Sequence, residues 1–97
     1  MMRTYLQAPI ALGSGTKTTA STNAETLITA DDAPEDNAFT VVLQPGGDYT
    51  VNVGCAADHT EFVIPQGGSL TLKIDQLSKI FVKTNTAGQN VNYIWYQ

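Results

Sequence analysis

A chain of 97 residues is one domain's worth of sequence, with room for a modest core. Its charged share is 14%, against the roughly 25% of an ordinary soluble domain, so its surface is either covered by Thr, Asn and Gln or built for contact. A net charge of −4 and a pI near 4.5 argue against a nucleic-acid binder, which needs clustered Lys and Arg, and no run reaches the roughly 18 apolar residues of a membrane span.

The first 24 residues differ from the rest. The opening stretch from Met1 to Leu12 has too short an apolar run, broken by Gln7 and Pro9, to read as a secretory leader. Gly13 to Thr22 is small and polar, with no apolar period. Residues 1–24 are therefore expected to form an extended N-terminal arm, ordered only where something holds it, with a neighbouring subunit the favoured holder.

From Glu25 onward the apolar period is two. Phe39, Val41 and Leu43 alternate with Thr40 and Val42. Tyr49, Val51 and Val53 alternate with Thr50 and Asn52, and Leu70, Leu72 and Ile74 with Thr71 and Lys73. This is the pattern of half-buried antiparallel strands. Strands are predicted near 25–30, 38–43, 48–53, 60–64, 69–74, 78–83 and 90–96. Asp75 to Ser78 is read as a tight turn, and no window has a helical period.

About seven short strands at this spacing predict a small antiparallel β-sandwich or barrel over residues 25–97. The connections Leu43-Gln-Pro-Gly-Gly-Asp and Ile64-Pro-Gln-Gly-Gly-Ser resemble each other. Pro fixes φ and Gly supplies positive φ, so both are expected to be tight, hairpin-like turns.

Candidate chemistry is sparse. Cys55 and His59 are the only residues of their types, so an intrachain disulfide is excluded and a reducing compartment of synthesis fits. A thiol and an imidazole four residues apart invite a nucleophile–base reading, but no third group orients them and no oxyanion donor is marked. The same two residues fall short of the four ligands of a structural zinc. The acidic run from Asp31 to Asn37 lacks the ligand spacing and central glycine of a calcium loop and reads as a solvated turn. No helix follows either Gly-Gly pair to bind phosphate. No catalytic, metal or cofactor residues are therefore assigned, and the chain is not expected to be an enzyme.

Charge is unevenly spread. Residues 1–61 hold two cations against eight anions, or −6, while residues 62–97 hold Lys73, Lys79 and Lys83 against Asp75, or +2. Such asymmetry can orient subunits on one another. The C-terminal Asn90-Val-Asn-Tyr-Ile-Trp-Tyr places Val91, Tyr93 and Trp95 on one face and Asn92, Ile94 and Tyr96 on the other. Both faces end in aromatic or apolar groups, which suits an anchored contact and, as an alternative, stacking on sugar rings.

The stretch Phe62-Val-Ile-Pro-Gln-Gly-Gly-Ser-Leu-Thr-Leu-Lys-Ile-Asp-Gln-Leu-Ser-Lys-Ile-Phe-Val-Lys, followed by Val91-Asn-Tyr-Ile-Trp, resembles small auxiliary virion proteins of tailed bacteriophages. The resemblance covers roughly residues 39–97. It implies a compact β domain, often trimeric, that decorates or cements a capsid, and it carries no catalytic residues. The implied partner is the major capsid protein or another virion protein. The implied location is the capsid surface, after synthesis in the host bacterial cytoplasm. Tyr5, Leu6, Ile10 and Leu12 of the arm, with Phe81, Trp95 and Tyr96, are the candidate interface. A tail or head–tail connector protein, or a carbohydrate-binding module, are the alternatives.

Overall fold

The computed structural model describes residues 12–34 and 39–97. Eight strands form two antiparallel sheets, with no α-helix among the described residues. They are β1 (Leu12–Thr18), β2 (Glu25–Thr26), β3 (Phe39–Pro45), β4 (Val51–Gly54), β5 (Phe62–Ile64), β6 (Leu70–Ile74), β7 (Phe81–Lys83) and β8 (Asn90–Tyr96). The first sheet has the order β1-β8-β3-β6 and the second β2-β7-β4-β5. The expected all-β sandwich is what the chain forms.

The pairing follows one rule. First strand pairs with last, second with second-to-last, third with sixth, and fourth with fifth. The chain is thus a long two-stranded ribbon, doubled back at the β4–β5 hairpin and wound so that successive segments fall in alternate sheets. The β3·β8 and β4·β7 pairings then stitch neighbouring turns of the ribbon together. Eight strands wound in this way make a jelly roll.

The core lies between the sheets. Phe39, Val41, Leu43 and Val91 face inward from the first sheet, and Val51, Val53, Ile64 and Val82 from the second. Each buried Val, Leu or Phe of this kind stabilises by roughly 1.5–3 kcal/mol. Leu27 and Ile28 are both buried in succession, which breaks the period of two and turns the chain into the core just after β2. That is why the strand predicted over 25–30 ends at Thr26. Leu77, in a 3-10 turn at Leu77–Lys79, is fully buried in the core, and β7 starts only at Phe81.

Two expectations change. The segment 12–24 belongs to the sandwich. Leu12–Thr18 pairs along its whole length with β8. Thr16 and Thr18 donate side-chain hydrogen bonds of 2.8 and 2.7 Å to the side-chain amide oxygens (Oδ1) of Asn92 and Asn90 on β8. Its two glycines have a steric cause, because Gly13 and Gly15 lie over the rings of Trp95 and Tyr93. A Cβ at Gly13 would stand 2.5 Å from Trp95 Cε2, and one at Gly15 2.6 Å from Tyr93 Oη. Only glycine lets the backbone pass that close.

The two connections, Pro45-Gly46-Gly47 and Pro65-Gln66-Gly67-Gly68, are also not hairpins. One joins β3 to β4 and the other β5 to β6, and each carries the chain from one sheet to the other. The second is a type II turn, in which the Gly68 N–H donates to the Pro65 carbonyl at 2.9 Å and Gly67 takes φ +77°. At the first, Tyr49 Oη donates to the Asn90 carbonyl at 3.0 Å and accepts from the Asn90 N–H at 2.7 Å. One hydroxyl thereby satisfies both backbone groups where β8 begins.

Candidate functional site

Among the described residues, two apolar surfaces remain on the outside. The first is the outer face of the β1–β8–β3 sheet at its Leu12 end. The register sets Leu12 directly opposite Tyr96, and Ile94 opposite Val42. Leu12 is 64% exposed, Ile94 41% and Tyr96 38%. They share one face because β8 alternates, sending Asn92, Ile94 and Tyr96 outward while Val91, Tyr93 and Trp95 turn in. Strand backbones bonded on both sides hold Ile94 and Tyr96 rigidly.

The second surface is a groove of about 340 Å³ where the sandwich opens between β5 and β6. These two strands are edges of different sheets, so no ladder closes the gap. Val53, Phe62, Leu70, Leu72, Ile74 and Ile80 line it. Phe62, 68% exposed, stands at its lip.

The polar groups of the groove are at its margin. His59 Nδ1 lies 3.0 Å from a Glu61 carboxylate oxygen, and His59 Nε2 4.0 Å from Asp58. The Glu61 bond, with the nearby Asp58 charge, raises the His59 pKa above its ordinary 6.5, and the same bond lowers that of Glu61. Lys79 pairs with Asp75 at 3.0 Å, which lowers the Asp75 pKa. Cys55 is exposed and also lines the groove. Among the described residues no hydrogen bond joins its thiol to the His59 imidazole, whose Nδ1 is engaged by Glu61. A third group beside the imidazole therefore exists in Glu61, but among the described residues it orients a ring that makes no hydrogen bond to the thiol. Among the described residues no three His, Cys, Asp or Glu side chains cluster as metal ligands. Of the acidic run, Asp31–Pro34 is described, with Thr29 Oγ1 donating to Asp32 at 3.1 Å, while residues 35–37 lie outside the described residues.

The sequence-predicted interface residues divide. Leu12 and Tyr96 are brought together on the outer face. Trp95 turns inward, edge-on to Phe39 with ring centroids 5.3 Å apart, and is covered by the Gly13 backbone, so its ring packs the interior. Phe81 is half-buried on the middle strand pair of the second sheet, whereas Tyr96 lies in the first. Tyr5, Leu6 and Ile10 lie outside the described residues. Two members of the surfaces, Ile94 and Phe62, are not singled out by sequence. Ile94 is legible as the outward partner of Tyr96 at period two, whereas Phe62 differs from a core position only through the sheet edge it occupies.

No family model matches the chain, and neither a curated protein nor a solved structure matches it. The surfaces themselves therefore carry the functional reading.

Proposed function

We propose that this protein is a structural virion component that docks on the capsid surface of a tailed bacteriophage and stabilises it, as a decoration or cement protein. The observation that supports it most is the exposed Leu12–Ile94–Tyr96 cluster on a rigid sheet face. Exposed apolar side chains gathered in one patch mark contact surfaces, and aromatic anchors on ordered backbone dominate such contacts. The low charged share of 14% suits a chain that spends much of its surface on neighbours. The jelly roll is a fold used by viral capsid domains, which agrees with the reading without carrying it. The partner is the major capsid protein or another virion protein, and copies associate, with a trimer favoured. Cementing then works through interface area that must separate before the shell opens.

The test is mass spectrometry of purified virions with the copy number counted, followed by capsid occupancy of Leu12→Asp and Tyr96→Ala variants. The reading expects a copy number commensurate with the capsid lattice and a loss of occupancy in both variants. Absence from virions overturns it. Jelly rolls also serve as lectin domains, and Phe62 beside His59 and Glu61 sets an exposed ring next to polar groups. Glycan binding by the isolated protein, abolished by Phe62→Ala and with no virion association, replaces the capsid reading with a carbohydrate-binding one.

A further inference from the structure

We propose that the groove between β5 and β6 receives residues 1–11 of a second copy of this chain, laid as an added strand along the open edge of β6. The inference concerns association of the chain with itself, and it stands whether or not the capsid is the protein's destination.

The groove offers a strand-shaped vacancy. β6 ends its sheet, so the backbone groups on its outer side have no ladder partner. Leu70, Leu72 and Ile74 point from it into the groove at period two. An extended peptide at such an edge gains backbone hydrogen bonds and drops alternate side chains into the apolar floor.

The N-terminal segment fits that vacancy. Leu6, Ala8 and Ile10 alternate, matching the spacing of Leu70, Leu72 and Ile74. In a strand, alternate residues turn their N–H groups to the same side. If Leu6, Ala8 and Ile10 donate toward β6, Pro9, which has no N–H, faces outward, as proline requires at an edge. The residues that face the floor are then the residues that can bond to the edge.

Where the segment joins the sandwich favours a second copy. Leu12, Tyr96, Thr40 and Lys73 form one row across the first sheet, and Lys73 lines the groove. The segment therefore leaves the fold at the groove's end of the molecule, but at the opposite edge. To enter its own groove it must turn and cross three strand spacings, about 14 Å. Pro9 biases Ala8 toward extended backbone, the conformation an added strand needs. Eleven extended residues reach roughly 36 Å, enough to lie in the groove of an adjacent copy.

Cys55, the single cysteine, lines the groove and reports its occupancy. The experiment is the rate of Cys55 alkylation by a bulky maleimide as a function of protein concentration. It compares the full chain with a full-chain Leu6→Asp, Ile10→Asp variant, with Trp95 fluorescence confirming that both are folded. The expected result is alkylation that slows about tenfold as the full chain is concentrated, the protection of a groove filled about nine-tenths of the time. The variant should react at one fast rate throughout, and adding a peptide of residues 1–11 to full chain held dilute should slow its alkylation. A full-chain rate that does not change with concentration, or equal slowing in the variant, overturns the proposal.

Discussion

Replacing Gly13 by Ala sets two effects of opposite sign against each other. Glycine inside a strand is disfavoured by roughly 0.5–1 kcal/mol relative to Ala, so propensity alone expects Gly13→Ala to stabilise. The packing says otherwise. The new Cβ would lie 2.5 Å from Trp95 Cε2 and Cζ2 and 2.7 Å from Nε1. Carbon atoms rest at about 3.5–4.0 Å, so the ring or β1 has to move by about 1 Å. The ring is held on its other side by Phe39, at an interplanar angle of 81° and with Phe39 only 2% exposed. Overpacking of a held ring costs about 1–3 kcal/mol, which leaves a mid-range net loss of about 1.3 kcal/mol after the propensity gain. For a domain of this length that lowers Tm by roughly 5–10 °C. The assay is thermal unfolding of the wild type, Gly13→Ala, Trp95→Phe and the double variant, with Ser14→Ala on the opposite face as control. The penalty of Gly13→Ala should shrink in the Trp95→Phe background, where the smaller ring clears the Cβ. A Tm at or above wild type, or a penalty that Trp95→Phe does not change, refutes the argument.

Gly54→Ala should cost more than Gly13→Ala, because its Cβ meets the His59 backbone carbonyl and no rotamer can clear it. Denaturant unfolding should show the larger loss, with faster amide exchange at the Ala56–His59 bridge. Tyr49→Phe removes the acceptor of the Asn90 N–H, while the Asn90 carbonyl keeps the Gly46 N–H as donor. One unpaired, part-buried N–H costs about 1–3 kcal/mol, and Asn90 amide exchange should accelerate. Glu25 provides the acid sensitivity. Burial raises its pKa, but the Ala20 N–H, Lys17 and the Ser21 N–H together outweigh this and hold it below the ordinary 4.5. A carboxylate with a depressed folded-state pKa contributes stability above the ordinary value and loses it as pH falls through the folded value. The Tm advantage of wild type over Glu25→Gln should therefore be full at pH 6 and shrink on acidification below about 4.5. An advantage that is constant with pH contradicts this role for Glu25.

Much of the fold is legible in the residues. Phe39, Val41 and Leu43 announce β3 by alternation alone, as do Leu70, Leu72 and Ile74 for β6, because a half-buried strand must alternate. β1 is not legible, because its pattern is the complement of another strand's. Gly13 and Gly15 have no side chains to show a period, and they are small because Trp95 and Tyr93 are large, some eighty residues away in sequence. The two segments with Pro and Gly-Gly are recognisable as turns but not as crossings between sheets. Turn chemistry is local, whereas the sheet that a strand joins depends on pairing with distant segments.

The two surfaces divide in the same way. Leu12 and Tyr96 are apolar groups near the chain ends, recognisable as candidates from residue type and position alone, and their register makes them neighbours. Which face of the Tyr93–Tyr96 stretch turns inward cannot be read from alternation, since both faces carry aromatic or apolar groups. The match of Trp95 to Val41 and Leu72 in one inward-facing row decides it. The groove has no local signature, because it exists only where β5 and β6 end different sheets. Composition and period alone determined that this chain makes a small, charge-poor, all-β domain. The winding of the ribbon decided which edges stay open, because strand pairing is a contact between residues that sequence distance does not describe.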